Sequence, residues 1–386
     1  MPKYVYVLFL VFSSLISTAQ NCNEICIPFT INKINTTKST VYVGDINYTF
    51  YAIDIHTGKK KWSYVTDPNY MFDLFTSAIV ENDLVYVSNS HESVCALNAK
   101  TGEKKWSFLS DGSSSGGNSS PTIANGLVYT GNSGSGELNA LNAITGEKKW
   151  SYLPKNTGFS MAFNKSTPTV YNGIVYIGNT NYSLYAIDAN TGEEKWIFPT
   201  NLVISSSPIA ANGIVYVGSF DNNLYAIDAT SGAKKWSFAT NGAIDASPTI
   251  SNGIIYVGSQ DNNLYAIDAI TGEKKWSYYF NDFYLSTAAV ENGIVYISCG
   301  DKYLYAFDAL TGVKKWTFYN DEGIATPTVA EGTVYVGSVL QKSLYALDAI
   351  TGEKKWTFLA EGGIVSSPCV VTSKGKIYKS LGNIRP

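Results

Sequence analysis

Short runs of alternating apolar and polar residues recur along the chain, and residues 247–278 show the pattern most clearly. Four apolar runs in this unit predict four short strands, which we name A, B, C and D. Asn252-Gly253 between A and B predicts a two-residue hairpin turn, because both turn positions need a positive φ. Between C and D, Asp268 is expected to cap its own turn while Gly272 takes the left-handed position. The unit therefore predicts one four-stranded antiparallel sheet.

The same unit repeats along the chain, and a tryptophan in strand D marks each copy. The spacings between successive tryptophans are 44, 44 and 46 residues, and then 40 residues four times. All eight tryptophans of the chain occupy this place: Trp62, Trp106, Trp150, Trp196, Trp236, Trp276, Trp316 and Trp356. One such sheet cannot bury both of its faces, so the copies must stack as an open solenoid or as a closed propeller. Units of this length with aromatic periodicity favour the propeller, and eight D strands predict an all-β, eight-bladed β-propeller of four-stranded antiparallel blades.

The two ends of the chain offer one strand more than eight blades need. After Trp356, residues 366–371 have the pattern of an A strand and residues 377–378 that of a B strand. Residues 41–44 already supply a B strand to the first unit. We therefore expect the C-terminal A strand to complete the first blade, with residues 377–378 as an extra edge. A strand around residues 29–34 is the alternative for that place.

The charge of the chain excludes one class of partner. Among the 386 residues, 28 basic side chains face 31 acidic ones, and Arg385 is the only arginine. Arginine is the usual reader of phosphates and guanine bases, so a nucleic-acid partner is not expected. Doubled lysines precede most of the tryptophans on the outermost strand, where lysine prevents edge-to-edge aggregation. Neighbouring glutamates neutralise these lysines locally.

The N-terminus has the pattern of a secretory signal peptide. An apolar run over residues 5–16 follows a lysine, and small residues lead up to Ala19. Residues 1–19 are therefore expected to be removed, which leaves an N-terminal segment at 20–35 and a single propeller over 36–386. No later run approaches about 20 apolar residues, so we expect an exported protein, periplasmic or extracellular, without a membrane span.

Five cysteines in an exported chain leave at least one unpaired. Cys95 and Cys299 lie inside strand-like runs, which predicts buried thiols. For the other three, two disulfides remain open. Cys26 with Cys369 would join the ends of the chain, and Cys22 with Cys26 is the competing pair.

Segments 186–196 and 266–276 run from the end of strand C through the turn to the tryptophan, and they resemble the tryptophan-docking motif of quinoprotein (PQQ-type) β-propellers. The pattern recurs in the other units, although Asn98 and Asn142 replace the aspartate in the second and third. The resemblance covers about residues 30–380 and implies eight blades whose tryptophans pack between neighbouring blades. The family holds PQQ- and calcium-dependent alcohol dehydrogenases and also non-catalytic scaffolds, such as the BamB-like lipoprotein of the outer-membrane β-barrel assembly machine. In size the chain is most similar to the BamB-like members.

The resemblance to the dehydrogenase branch is incomplete. That branch implies a vicinal Cys-Cys disulfide, long insertions and a Glu/Asn/Asp calcium site, whereas this chain has no adjacent cysteines and few residues beyond its repeats. Its acidic residues mostly recur at one place in each unit, but catalysis needs an asymmetric constellation. Its two histidines, His56 and His91, lack metal-ligand spacing. We therefore expect no catalytic, cofactor-binding or metal-binding residues, and a PQQ- and calcium-dependent dehydrogenase is the alternative.

The connections between strands predict where a partner binds. The A–B and C–D turns make one face short and uniform, so the variation lies on the other face, in the D–A and B–C connections. Three D–A loops carry aromatic residues, and the sixth also contains Phe280. The predicted partner-binding residues are Tyr70, Phe72, Phe75, Phe159, Phe163, Phe283 and Tyr284. Either these aromatic residues cap the central channel or plug between blades, or they form an exposed patch. In the second case they would bind the protein, peptide or glycan partner of a monomeric, non-catalytic scaffold in cell-envelope assembly.

Overall fold

The computed structural model describes residues 39–66, 76–89, 93–110, 119–132, 135–154, 166–282, 284–320 and 325–379. These residues form strands and turns, and among them there is no helix that could cross a bilayer. The strands group into eight antiparallel sheets, seven of four strands and one of five. This confirms the predicted all-β, eight-bladed β-propeller.

We number the strands of the described residues in chain order. The first sixteen are β1 (Thr40–Gly44), β2 (Thr49–Asp54), β3 (Lys60–Val65), β4 (Ile79–Glu81), β5 (Leu84–Val87), β6 (Val94–Asn98), β7 (Lys104–Phe108), β8 (Thr122–Ala124), β9 (Leu127–Gly131), β10 (Leu138–Asn142), β11 (Lys148–Tyr152), β12 (Thr169–Tyr171), β13 (Ile174–Asn179), β14 (Ser183–Asp188), β15 (Glu194–Pro199) and β16 (Ile209–Ala211). The others are β17 (Ile214–Gly218), β18 (Asn223–Asp228), β19 (Lys234–Ala239), β20 (Thr249–Ser251), β21 (Ile254–Gly258), β22 (Asn263–Asp268), β23 (Lys274–Tyr279), β24 (Ala289–Glu291), β25 (Ile294–Cys299), β26 (Tyr303–Asp308), β27 (Lys314–Tyr319), β28 (Thr328–Ala330), β29 (Thr333–Ser338), β30 (Ser343–Asp348), β31 (Lys354–Leu359), β32 (Cys369–Val371) and β33 (Ile377–Lys379).

Blades 2 to 8 each consist of four consecutive strands, beginning with β4, and in each blade they lie side by side in the order A, B, C, D. The A strands of neighbouring blades contact one another, for example β8 with β12 and β24 with β28. This places strand A at the propeller axis and strand D at the rim.

The first blade takes its strands from both ends of the chain, in the order β3-β2-β1-β32-β33. Strand β32 pairs antiparallel with β1, with Cys369 opposite Tyr42, and β33 pairs with the free edge of β32. The C-terminal A strand therefore completes the first blade, and β33 is the extra edge. The alternative strand at residues 29–34 lies outside the described residues, and β32 already holds the place it would need.

The turns have the backbone conformations that the sequence predicts. Asn252 and Gly253 both have positive φ, at 49° and 74°, as a two-residue hairpin turn requires. In the C–D turn, Asp268 Oδ1 accepts hydrogen bonds from the backbone N–H groups of Ile270 and Thr271, both at 2.9 Å. Gly272 follows with φ at 75°. Each blade thus sets its own strand connections locally.

The hydrophobic core lies between neighbouring blades. Leu224 and Ala226 of blade 5, for example, pack into one cluster with Val257 and Ile267 of blade 6. Strands B and C are buried on both faces because each blade is covered by a blade on either side, whereas strand D exposes alternate residues. Stacking of the blades around the ring therefore buries the sheet faces that a single blade would expose to solvent.

The three cysteines among the described residues lie buried in this core. Cys95, Cys299 and Cys369 are all buried, as the sequence predicts for the first two. Cys369 forms no disulfide with another described residue, and the predicted bond to Cys26 is not tested, because Cys26 lies outside the described residues. Cys22 and Cys26 lie outside the described residues, so their pairing stays a prediction.

Candidate interaction face

Each tryptophan of strand D lies at the contact between its own blade and the next. Trp236 Nε1 donates to the carbonyl oxygen of Ala269 in blade 6 at 3.2 Å, and Tyr216 Oη donates to the same oxygen at 3.0 Å. The equivalent blade-crossing bond is made by Trp62, Trp106, Trp150, Trp196, Trp276, Trp316 and Trp356. In the last of these, Trp356 of blade 8 donates to the carbonyl of Ile55 in blade 1 at 2.9 Å, which joins the two ends of the ring.

The indole ring of each tryptophan also fills the space beside a glycine of the next blade. A Cβ atom placed on Gly272 would lie 2.8 Å from Cδ2 of Trp236, and one on Gly58 would lie 2.8 Å from Cε3 of Trp356. These glycines have positive φ as well, so the turn and the close approach both require them. The tryptophans are thus engaged in packing between blades.

The aspartate that recurs in the C–D turn is engaged within its own blade. Besides accepting the two backbone hydrogen bonds, Asp268 pairs with Lys275, whose Nζ lies 2.9 Å from Oδ2. The hydrogen bonds from Lys275 and from the turn lower the pKa of Asp268 to about 2. In blade 2, where Asn98 replaces the aspartate, Lys105 pairs instead with Glu103 at 2.8 Å. These repeated carboxylates serve the turns and the charge balance of strand D.

The described residues do not supply the donor set that the resemblance implies for PQQ and calcium. No group of three or more His, Cys, Asp and Glu side chains comes together among them. The buried thiols Cys95, Cys299 and Cys369 have no adjacent cysteine in the chain. Burial raises the pKa of the Cys299 and Cys369 thiols to about 12, which keeps them protonated. We therefore assign no residue to either group.

The last strand of the described residues lies at the propeller axis. Strand β33 pairs with the inner edge of β32 and also contacts β4 and β28, the A strands of blades 2 and 8. Lys379 is half-buried, and its Nζ donates to the carbonyl of Pro121 in blade 3 at 2.8 Å. Desolvation lowers the pKa of Lys379 to about 8. A ligand on the axis would have to share the channel with this strand.

The predicted partner-binding residues fall mostly outside the described part of the chain, where nothing tests them: Tyr70, Phe72, Phe75, Phe159, Phe163 and Phe283. Tyr284 is described and exposed on the D–A/B–C face. Its backbone N–H donates to Asp282 Oδ1 at 3.0 Å, and its carbonyl accepts from the N–H of Gly300 at 2.8 Å. Phe280 of the same loop is buried, with its ring centroid 5.0 Å from that of Tyr305 in blade 7, as the alternative of a plug between blades predicts.

Three further tyrosines of blades 6 and 7 are exposed on this face. Tyr279 and Tyr319 end the D strands of blades 6 and 7 and are 62% and 51% exposed, and Tyr303 begins strand C of blade 7. The rings of Tyr303 and Tyr319 make an edge-to-face contact with centroids 5.5 Å apart. We call Tyr279, Tyr284, Tyr303 and Tyr319 the tyrosine rim. A comparison of the last residue of strand D across units would have found Tyr279 and Tyr319, since strand D of blade 5 ends in Ala239 at the same place.

Carboxylates of the B–C turns hold the D–A loops of this face in place. Asp221 Oδ2 accepts the N–H of Asn201 from the preceding D–A loop at 3.0 Å and the hydroxyl of Tyr225 at 2.7 Å. In the first blade, Asp45 Oδ2 accepts the N–H of Gly362 at 2.9 Å. In blades 5 and 1, the B–C turn therefore holds the neighbouring D–A loop in place.

The profile of one protein family matches the repeats from end to end. This family is described as outer membrane protein assembly factor BamB, and it matches residues 32–238, 183–283, 222–326 and 283–379. No curated protein matches the chain in sequence.

Solved structures with the same fold include BamB, an alcohol dehydrogenase and a designed protein. BamB from Moraxella catarrhalis is 18% identical, over 79% of this chain and 93% of that chain, with a TM-score of 0.62. Quinohemoprotein alcohol dehydrogenase from Comamonas testosteroni is 15% identical, over 93% and 78%, with a TM-score of 0.67. The computationally designed Ika8 protein is 15% identical, over 83% and 93%, with a TM-score of 0.66. These likenesses show the fold alone, and the family profile shows more: the chain belongs to the family described as outer membrane protein assembly factor BamB.

Proposed function

We propose that this protein is an exported, monomeric, non-catalytic scaffold of cell-envelope assembly that binds a protein, peptide or glycan partner through its D–A/B–C face. The tyrosine rim carries the proposal. Exposed tyrosines offer a large apolar ring and a polar hydroxyl at low entropic cost, and they are frequent anchors of interfaces. The backbone hydrogen bonds that Tyr284 makes with Asp282 and Gly300 support this use, because a held side chain loses less entropy on binding.

Three other findings support the proposal. The matching family is described as an assembly factor, and the structural alignment with BamB covers 79% of this chain. The repeated aspartates of the described residues, such as Asp268, are used in turns and ion pairs rather than gathered into one site. The signal-peptide pattern of residues 1–19 supports an exported, periplasmic or extracellular location.

Replacing Tyr279, Tyr303 and Tyr319 together with serine is expected to lower partner binding at least tenfold. Interface anchors of this kind cost about 1 kcal/mol or more each when truncated, and every 1.4 kcal/mol is a factor of ten in affinity. The measurement is the amount of partner from an envelope extract of the source cells that the immobilised chain retains. We expect the thermal midpoint to change by less than about 4 °C, because surface substitutions have small effects on stability.

The matched control is Leu109→Ser combined with Leu153→Ser. These leucines follow strand D of blades 2 and 3 at the place that Tyr279 and Tyr319 hold in blades 6 and 7, and they are also exposed. The control should retain the partner as the unaltered chain does. Equal retention by the tyrosine variant, or equal loss in both variants, would contradict a role for the tyrosine rim.

A PQQ- and calcium-dependent dehydrogenase is the second candidate, favoured by the likeness to the quinohemoprotein alcohol dehydrogenase over 93% of this chain. We expect isothermal titration of the purified chain with PQQ and calcium to show no binding heat. The physical reason is that the described residues bring no carboxylate cluster together and that β33 lies at the axis. Saturable one-to-one binding in the micromolar range or tighter would overturn the scaffold proposal.

A further inference from the structure

The C–D turns expose aliphatic side chains at one repeated position. This position, two residues after the turn aspartate or asparagine, holds Ile270, Leu310 and Ile350 in blades 6, 7 and 8, and these are 79%, 74% and 75% exposed. Ile144 holds it in blade 3 and is also exposed. Isolated exposed aliphatic residues need no explanation, but three consecutive copies at one position of a repeat do.

The fold does not require an aliphatic side chain at this position. The turn uses only the backbone N–H, which donates to the aspartate Oδ1 at 2.9 Å from Ile270. Asn190 in blade 4 and Thr230 in blade 5 make the same bond at 3.0 and 3.1 Å. Polar residues therefore close the turn equally well, so the aliphatic residues point to a task outside the fold.

The aliphatic side chains lie on one face of the ring. They share one turn geometry, and the C–D turns all project from the face opposite the D–A and B–C connections. Val313, exposed in the turn of blade 7, adds to the row, and Ile144 stands across the ring from it. A flat surface laid on this face would therefore meet the turns of several blades.

The exposed area argues against a second copy of the chain as the occupant. A side chain of this size presents on the order of 100 Å² of apolar surface, so the five side chains present about 500 Å². Two copies would bury about 1,000 Å², which is less than the roughly 1,200 Å² that a stable interface needs. The side chains are also separated by polar turn residues, whereas the centre of a protein interface is contiguous.

The local charge argues for a lipid surface without net charge. Between the turn aspartate and the lysine pair, blades 6 to 8 carry six lysines against five carboxylates, a balance of +1: Lys274, Lys275, Lys314, Lys315, Lys354, Lys355, Asp268, Glu273, Asp308, Asp348 and Glu353. Glu291 and Glu331 of the A–B turns lie on the same face and reverse that small excess. Because this part of the face has almost no net charge, it offers no electrostatic attraction to anionic headgroups. Zwitterionic headgroups carry both signs of charge and match such a surface.

We propose that the A–B/C–D face docks on a zwitterionic lipid bilayer by inserting the aliphatic residues of the C–D turns into its interface. Ile270, Leu310 and Ile350 form the main contact, and Ile144 steadies the opposite side of the ring. The burial of apolar side chains in the interface provides the attraction. In this orientation the D–A/B–C face points away from the bilayer.

The test is sedimentation of the full chain with phosphatidylcholine vesicles. Replacing Ile270, Leu310 and Ile350 with asparagine, the residue that blade 4 has there, is expected to lower the partition coefficient about tenfold. Adding Ile144→Asn should lower it further. Adding phosphatidylglycerol to the vesicles should leave the binding of the unaltered chain unchanged within a factor of two. A thermal midpoint close to that of the unaltered chain shows that the variant is folded.

The control is the serine variant of Tyr279, Tyr303 and Tyr319, which removes exposed side chains from the other face and should bind vesicles as the unaltered chain does. Since this control and the asparagine variant act on opposite faces, failure of partner binding and failure of vesicle binding are separable. Equal vesicle binding by the asparagine variant and the unaltered chain would overturn the proposal. So would binding that requires phosphatidylglycerol, or a dimer of the unaltered chain in solution that the asparagine substitutions abolish.

Discussion

Replacing Trp236 with alanine is expected to lower the free energy of unfolding by about 3–5 kcal/mol. The indole lies between blades 5 and 6, where it packs beside Gly272 and Tyr216 and donates to the carbonyl of Ala269. Removing it leaves a cavity at a packed interface, although Tyr216 still donates to the same carbonyl. Denaturant unfolding followed by circular dichroism measures the effect.

Two glycine variants provide a matched control for this docking. Gly272 and Gly253 both have φ near 75°, so alanine strains the backbone equally at either position. Only at Gly272 would the new Cβ meet the indole, since no atom lies within 4 Å of the Cβ position at Gly253. Gly272→Ala should therefore destabilise more than Gly253→Ala. An effect of Trp236→Ala below about 1 kcal/mol, with equal effects of the two glycine variants, would contradict docking between blades.

The architecture could be predicted from the sequence because each blade specifies its own strands and turns. Asn252-Gly253 supplies two positive φ angles, and the carboxylate of Asp268 caps the next turn, so neither turn depends on a distant residue. The tryptophan spacing then counts the blades. The closure of the first blade by residues 369–371 followed from the surplus strand, since a ring of eight leaves one edge of blade 1 without a partner.

The interaction face could be predicted only in part, because exposure depends on the neighbouring blade. Phe280 is an aromatic residue of a predicted surface loop, but its ring packs between those of Tyr278 and Tyr305 in the core. Tyr279 precedes it by one residue and points outward, as alternation along strand D requires. The position of β33 at the axis likewise depends on contacts with β4 and β28, which are remote in sequence.

Ending the chain after Val365 is expected to abolish cooperative folding. This truncation removes β32 and β33 and leaves β1 without the strand that pairs with its inner edge. It also removes Val370 and Val371, which are fully buried, and Ser366, whose hydroxyl accepts the N–H of Gly44 at 2.8 Å. Burying each valine is worth about 1.5–3 kcal/mol, so with the lost hydrogen bonds the cost approaches the 5–15 kcal/mol that holds a typical domain folded. Loss of the sigmoidal thermal transition by circular dichroism is the expected result.

A chain that ends after Ser373 distinguishes the effect of losing β32, which closes the first blade, from the effect of losing β33, which lies at the axis. It keeps β32 and loses only β33, whose side chains Ile377 and Tyr378 pack against neighbouring blades. We expect this variant to keep a cooperative transition at a lowered midpoint, because Tyr378 is buried while Ile377 is only half-buried. Adding a peptide of residues 366–386 to the shorter truncation should restore part of its transition, since β32 holds its place through pairing with β1 and side-chain packing. If the chain ending after Val365 unfolds at the midpoint of the full chain, β32 does not close the ring, and the tryptophan bond from Trp356 to Ile55 must hold the two ends together by itself.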